Sequence, residues 1–307
     1  MQVPLVAYLG PRGTFTEQAS RCLTDDFDAE LVPFDAVSQA LRAVRTGEVL
    51  AAAVPVENSV EGSVPATLDA LSAGDPLVAV REAMLPIRFD VLVRPGTRDV
   101  RSVASHPHAL GQVRGWLAEH LPGAEVRVSG STAAAAAEVL AGEHDAAVTA
   151  PTAIEEYPSL VRLAEGIADL PDAVTRFLLL RRPGIPPEPT GADRTSIAAV
   201  IGDEVGALTE LLAELSLRGI NLSRIESRPT KDRLGEYRFF LDFDGHIADA
   251  RIGDALSALH RRCSEVRFLG SYPKADRSPA TVRPAASEQV FRHSAQWVDD
   301  LRAGAIG

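Results

Sequence analysis

Two cysteines, two lysines, two methionines and two tryptophans are all that a chain of 307 residues holds of those types. Cys22 and Cys263 are too few for a disulfide framework and lack the CxxC spacing of a metal knuckle, so both read as reduced core residues. Positive charge is also scarce: 31 basic against 42 acidic side chains leave a net charge of −11. Residues 1–193 hold 26 acids and 15 bases, 194–274 hold 12 of each, and the segment from 275 holds 4 of each. So acidic a body excludes a nucleic-acid binder, which needs a surplus of Lys and Arg on one face. The bases that exist are nearly all Arg, suited to planar carboxylate recognition. No apolar run approaches the ~20 residues of a membrane span. The start, MQVPLVAYLGPRG, has neither a charged n-region nor a long apolar h-region, so a cytoplasmic protein is expected.

What is present is alternation. Apolar runs at 3–9, 30–34 and 49–54 read as strands, separated by helices at 14–23 and 35–46, the latter capped by Asp35. The uninterrupted apolarity of 49–54 marks a strand buried on both faces. The pattern recurs with strands at 100–105, 125–129 and 146–149 and helices at 109–120 and 132–141. A rhyme joins the halves: helix, Gly47-Glu48, Ala52-Ala53-Val54, then helix, Gly142-Glu143, Ala146-Ala147-Val148. Two facing α/β lobes of the kind found in periplasmic binding proteins are expected. After a strand at 177–182, PGIPPEPTGAD places four prolines and two glycines in eleven residues, an interdomain linker. Strand, helix, strand, strand, helix, strand then follow at 195–201, 206–217, 222–227, 237–243, 249–260 and 266–269, a ferredoxin-like βαββαβ unit. The expected boundaries are a first domain at 1–183 (lobe one 1–78 plus 176–183, lobe two 79–175), a linker at 184–193, a second domain at 194–274, and a mobile tail at 275–307 with one short helix near 289–301.

Ligands of open α/β sheets lie outside the carboxyl ends of the strands, so the loops there are where chemistry is sought. Gly10-Pro11-Arg12-Gly13-Thr14 runs into a helix and is either an anion site or a tight turn. Glu57-Asn58-Ser59 sets a carboxylate, an amide and a hydroxyl at a strand tip, or else supplies a helix cap. Ser105-His106-Pro107-His108 follows the next strand, with Gln112 beyond it; His-x-His without a nearby acid or thiol is a poor metal signal, and no metal is expected. Ser129-Gly130-Ser131-Thr132 reads as a cap. Thr175-Arg176-Phe177 sits where the chain returns from lobe two to lobe one, and Arg176 there offers a bidentate carboxylate clamp.

GPRGTFT, VPVENS, SHPHALGQ and TRF followed by an apolar strand resemble the prephenate dehydratase family, and the downstream GALTELL and ESRP segments resemble its ACT regulatory domain. The resemblance runs in the family's order from about residue 3 to 274 and is to the monofunctional form, since the first strand begins at Val3 with no helical domain before it. It implies decarboxylating dehydration of prephenate to phenylpyruvate in phenylalanine biosynthesis, without a cofactor. Thr175 would hydrogen-bond or protonate the leaving hydroxyl; Asn58, Ser105 and Gln112 would orient the substrate, and Glu57 is a rival proton source. Arg176, Phe177, Ser59 and the loop of Gly13 and Thr14 would bind substrate. Phenylalanine would bind between the ACT domains of two subunits at Gly206, Ala207, Leu208, Asn221, Leu222, Glu226, Ser227, Arg228 and Pro229, which implies a homodimer or homotetramer. Thr209 after Leu208 departs from the family's small apolar residue. The rival readings are a solute-binding protein or amino-acid sensor, neither of which needs Thr175-Arg176-Phe177, and an arogenate dehydratase performing the same elimination on the amino analogue.

Overall fold

The structure is a computed structural model that describes residues 3–230 and 235–305. The chain divides into two compact units, Met1–Ala70 with Ala83–Arg182, and Leu71–Glu82 with Pro183–Gly307. In order along the chain come β1 (Leu5–Leu9), α1 (Phe15–Leu23), β2 (Glu30–Phe34), α2 (Val37–Thr46), β3 (Ala51–Asn58), β4 (Gly62–Ser63), α3 (Pro65–Ser72), β5 (Val78–Pro86) and β6 (Asp90–Val93). Then follow β7 (Ser102–Ser105), α4 (Pro107–Gly111), α5 (Arg114–His120), β8 (Glu125–Val128), α6 (Thr132–Ala141), β9 (Ala146–Thr149), α7 (Ala153–Glu156), β10 (Val161–Ala164) and β11 (Val174–Arg181).

The first unit holds two sheets built on one plan. One has the order β2-β1-β3-β11-β5, with β4 attached to β3, and the other β10-β6-β9-β7-β8. In each, three parallel strands stand in the order second, first, third (β2-β1-β3 and β8-β7-β9), and an antiparallel strand pairs with the third, β11 with β3 and β6 with β9. The rhyme read in the sequence is this repeat: Gly47 ends α2 and Gly142 ends α6, both left-handed, and each turn feeds an apolar third strand. β3 and β9 are alanine-rich, which lets helices pack close on them; Ala147 joins Ala104, Leu92 and the α6 residues Ala135, Ala136 and Val139 in one core cluster.

The second unit carries β12 (Asp193–Ile201), α8 (Ala207–Ser216), β13 (Leu222–Pro229), β14 (Tyr237–Asp244), α9 (Ala250–Arg262) and β15 (Glu265–Pro273). Its antiparallel sheet has the order β13-β14-β12-β15. Leu211 and Leu215 of α8 and Ile252, Ala255 and Leu259 of α9 close over Ile197, Ala199, Leu241 and Phe243, the βαββαβ core that was expected. β15 runs four residues beyond the expected strand: past a bulge at Leu269, where Ser196 faces Gly270 and Ile197 faces Phe268, the pairing with β12 resumes to Pro273 opposite Asp193.

Several expectations change. Lobe one's sheet extends through β5 to Pro86, past the expected break at 78, and Thr175 belongs to β11 of that sheet. Residues 71–82 count with the second unit, where the Arg267 guanidinium donates to the Leu71 and Gly74 carbonyls and Arg194 pairs with Glu82. Asp35 caps nothing; α2 begins after Ala36 with no side-chain cap. The helix expected at 109–120 is broken in two, with Gln112 at the break. Cys22 is exposed, because the buried face of α1 falls on Thr16, Ala19, Ser20 and Leu23. The tail is docked at its base: Ala286 is buried, and the Glu288 carboxylate, at the start of α10 (Glu288–Arg302), accepts from the Ala250 N–H at the uncapped start of α9 (2.8 Å).

Gly142 has φ +87, and a Cβ there would meet only the Arg94 guanidinium, at 3.9 Å. Gly142→Ala should therefore lower unfolding free energy by about 1–2 kcal/mol, the conformational penalty alone. Urea denaturation checks this, and an unchanged midpoint would contradict the left-handed cap.

Candidate active site

β3 and β11 are buried over most of their length, and their ladder sets opposite residues in fixed pairs. At its end Thr175 stands opposite Asn58 and Arg176 opposite Glu57; Phe177 then faces Pro55, so Val56 is an extra residue bulging from β3. Ser59 fastens the end, its N–H donating to the Val174 carbonyl (2.9 Å) and its hydroxyl accepting from the Val174 N–H (3.0 Å).

Asn58 is oriented before it acts. Its Oδ1 accepts from the Val60 and Glu61 N–H groups (2.8 and 3.0 Å), an Asx turn rather than a helix cap. The amide nitrogen is thereby turned to donate to Thr175 Oγ1 at 2.8 Å. Since that oxygen accepts, the Thr175 hydroxyl keeps its hydrogen for another acceptor. Thr175 is 8% exposed and Arg176 3%. Arg176 Nη1 lies 3.5 Å from Glu57 Oε2, an ion pair beside the threonine.

The lobe-two residues are placed differently. Ser105 is fully buried and its hydroxyl donates to the Val148 carbonyl (2.6 Å), so it braces β7 against β9. Gln112 is buried at the end of α4, its carbonyl accepting from the Asp169 N–H (2.7 Å). The Asp169 carboxylate in turn accepts from the Gly115 and Trp116 N–H groups that open α5. The two lobes approach at Gly111, where a Cβ would lie 3.8 Å from Glu61 Oε1, bringing the Asn58 turn up to the helix that carries Gln112. Asp169 and Glu61 escaped the sequence reading. Asp169 acts across more than fifty residues, and nothing local marks it.

Three expected substrate contacts have other roles. The Gly13 N–H donates to Glu17 Oε2 (2.6 Å) and Thr14 Oγ1 accepts from the Glu17 N–H (3.3 Å), so a carboxylate of the chain occupies the loop read as an anion site. Thr14 thus caps α1, while the Glu17 carboxylate reaches back past the cap to the residue before it, a variant of the capping box. Gly13 also packs against lobe two, a Cβ there falling 3.5 Å from Ala153 Cα. Phe177 is 2% exposed and belongs to the core. Burial, with the Glu17 charge adding to it, pushes the Tyr8 phenol up to about 12, so it stays protonated.

His106 is a helix cap: its Nδ1 accepts from the His108 N–H at the start of α4 (3.3 Å). Ser131 caps α6 in the same way, accepting from the Ala134 N–H. Among the described residues no group of three or more His, Cys, Asp or Glu is placed to hold a metal ion, and no helix is long and apolar enough to cross a membrane.

In the second unit Gly206 opens α8, and Asn221 donates to the Asp244 carboxylate (3.0 Å) just before β13. Register separates them: Pro229, Tyr237 and Ile201 align at one end of the sheet, Leu222, Phe243 and Thr195 at the other. Gly206-Ala207-Leu208 follow Ile201, near the end that Arg228 and Pro229 reach. Asn221 and Leu222 start β13 about 23 Å away along the strand. One chain does not bring all of these residues together.

A polar strand-end site in a two-lobed α/β unit, joined to a ferredoxin-like βαββαβ unit, defines a small-molecule enzyme with an appended regulatory domain. The sequence profile of prephenate dehydratase matches residues 6–184 and that of the ACT domain residues 195–261. A prephenate dehydratase of Amycolatopsis methanolica is 59% identical over 300 residues, 97% of this chain and 98% of that one. The crystal structure of prephenate dehydratase in complex with L-Phe from Arthrobacter aurescens superposes with a TM-score of 0.91 at 47% identity, covering 97% of this chain and 99% of that one. A protein described as a novel type of quorum-quenching acylase superposes at 0.78 with 29% identity, covering 88% of this chain and 97% of its own. The chain belongs to the prephenate dehydratase family, lyases that remove water and carbon dioxide, and carries the ACT domain at its C-terminal side.

Burial, with His108 adding to it, holds the His106 imidazole below its usual 6.5. The native state then binds fewer protons than the unfolded chain as pH falls through 6.5, so stability declines, and protonation of Nδ1 finally removes the cap on α4. Between pH 7 and 5 the urea midpoint should fall more steeply for the natural protein than for His106→Asn, which caps without titrating. Equal slopes would contradict the role given to His106.

Proposed function

We propose that this chain converts prephenate to phenylpyruvate, with Thr175 as the donor to the leaving group. In that reaction the bond from ring to carboxylate breaks and carbon dioxide departs. Its electron pair enters the ring as the bond to the ring hydroxyl breaks, and hydroxide leaves as water with one added proton. Aromatisation drives the process, so the protein has to position the substrate and stabilise the departing oxygen. The observation that carries this reading is the direction of the Asn58–Thr175 bond: the threonine oxygen accepts, leaving its hydrogen to be donated. A threonine is a weak acid, so its contribution is an oriented hydrogen bond in a desolvated site rather than complete proton transfer. The same polarity argues against an acylase, whose hydroxyl nucleophile needs a base to take its proton.

Arg176 supplies positive charge beside Thr175 in a domain that is acidic overall, with Glu57 holding the guanidinium in place. Gln112 reaches the substrate from lobe two, and Ser105 acts through the backbone it braces.

The second domain we read as the site of feedback inhibition by phenylalanine, the amino acid bound to the Arthrobacter protein. The separation of Gly206–Leu208 from Asn221–Leu222 favours a site completed by a second copy of the chain. β13 is an edge strand with Ile225 42% exposed, open to pairing with another edge. A homodimer or homotetramer follows. The two free cysteines suit a reducing cytoplasm.

The purified chain should form phenylpyruvate from prephenate, and phenylalanine should suppress that formation and tighten the oligomer in sedimentation. Formation without suppression would remove the regulatory reading alone. No product from prephenate, with turnover of arogenate, would reassign the substrate.

A further inference from the structure

Lobe two buries three neutral polar atoms that have no hydrogen-bond partner among the described residues: Gln112 Oε1, Thr149 Oγ1 and Thr152 Oγ1. Folded proteins rarely leave such atoms unsatisfied, and each one calls for a reason. Thr149 is completely buried. It ends β9 beside β7, the parallel neighbour whose last residue, Ser105, donates to the carbonyl of Val148 immediately before it. Thr152 stands at the start of α7 and makes no capping bond. The next residue, Ala153, is the one that Gly13 of lobe one packs against. The turn 149–153 therefore lies at the carboxyl end of parallel strands and where the lobes meet, the position at which open α/β sheets receive ligands.

We propose that the Thr149 hydroxyl, supported by that of Thr152, binds a carboxylate of the substrate. The inference rests on prephenate as substrate. Prephenate offers two carboxylates and a ketone as acceptors and only its ring hydroxyl as a donor. A donor wall on lobe two complements Thr175, which addresses the ring hydroxyl from lobe one. Arg176 shares its charge with Glu57 through Nη1 at 3.5 Å, and hydroxyls add donors for a carboxylate without adding buried charge. Ser105 becomes a positioning residue in this scheme, fixing the backbone that presents Thr149.

The test compares Thr149→Val, Thr149→Ser and Thr152→Val with the natural protein, by steady-state kinetics on prephenate and by thermal unfolding. Thr149→Val should raise KM about 10- to 100-fold, the loss of one hydrogen bond to a charged group, with kcat little changed. Its Tm should stay equal or rise, since a methyl replaces an unsatisfied hydroxyl. Thr149→Ser, which keeps the hydroxyl, should restore KM, and Thr152→Val should show a smaller rise. An unchanged KM in Thr149→Val, beside normal turnover by the natural protein, overturns this inference alone. A KM loss that follows a lowered Tm and is not restored by serine overturns it in favour of a packing role. Failure of the natural protein to turn over prephenate overturns the substrate reading and this inference with it.

Discussion

The hydrogen bond from Asn58 to Thr175 is the interaction on which the site depends. Neither residue alone is reactive. A lone threonine hydroxyl rotates freely, and a lone asparagine can present either end of its amide. The turn after β3 removes the second freedom by giving two N–H groups to Oδ1, and the amide nitrogen removes the first by giving its hydrogen to Oγ1. What remains is a hydroxyl hydrogen directed away from Asn58, the donor that our proposal assigns to the departing oxygen.

That bond exists because two strands 117 residues apart are paired in one register. The Val56 bulge and the Ser59 clasp set the end of the ladder so that Arg176 falls beside Glu57. The sheet beneath is ordinary: alanine-rich strands under close-packed helices, repeated in both lobes. In lobe two, long-range bonds join the Gln112 carbonyl to the Asp169 N–H and the Ser105 hydroxyl to the Val148 carbonyl. The lobes approach at Gly13, beside the Ala153 backbone, and at Gly111, beside the Glu61 carboxylate.

Much of this was legible in the sequence. The apolar runs of β3 and β9 and the glycines ending α2 and α6 are local signals, and the structure follows them. The Thr175-Arg176-Phe177 triplet was legible as a motif, yet its middle and last residues are engaged in an ion pair and in the core. At Gly13 and Thr14 the Glu17 carboxylate, which the glycine-loop reading left out, fills the place read as an anion site. What the letters could not carry is contact at a distance: the break at Gln112 answers to Asp169. β5 was not read as a strand because Arg81 and Glu82 interrupt its apolar pattern; Glu82 is engaged there by the Arg194 guanidinium and the Ala275 N–H.

The measurement that bears most directly on this account is a double-mutant cycle on kcat with Asn58→Ala and Thr175→Val. If Asn58 works by orienting the threonine hydroxyl, each single change lowers kcat, and adding Asn58→Ala to Thr175→Val lowers it no further. Full additivity of the two losses, or a Thr175→Val enzyme that keeps its natural kcat, would contradict it.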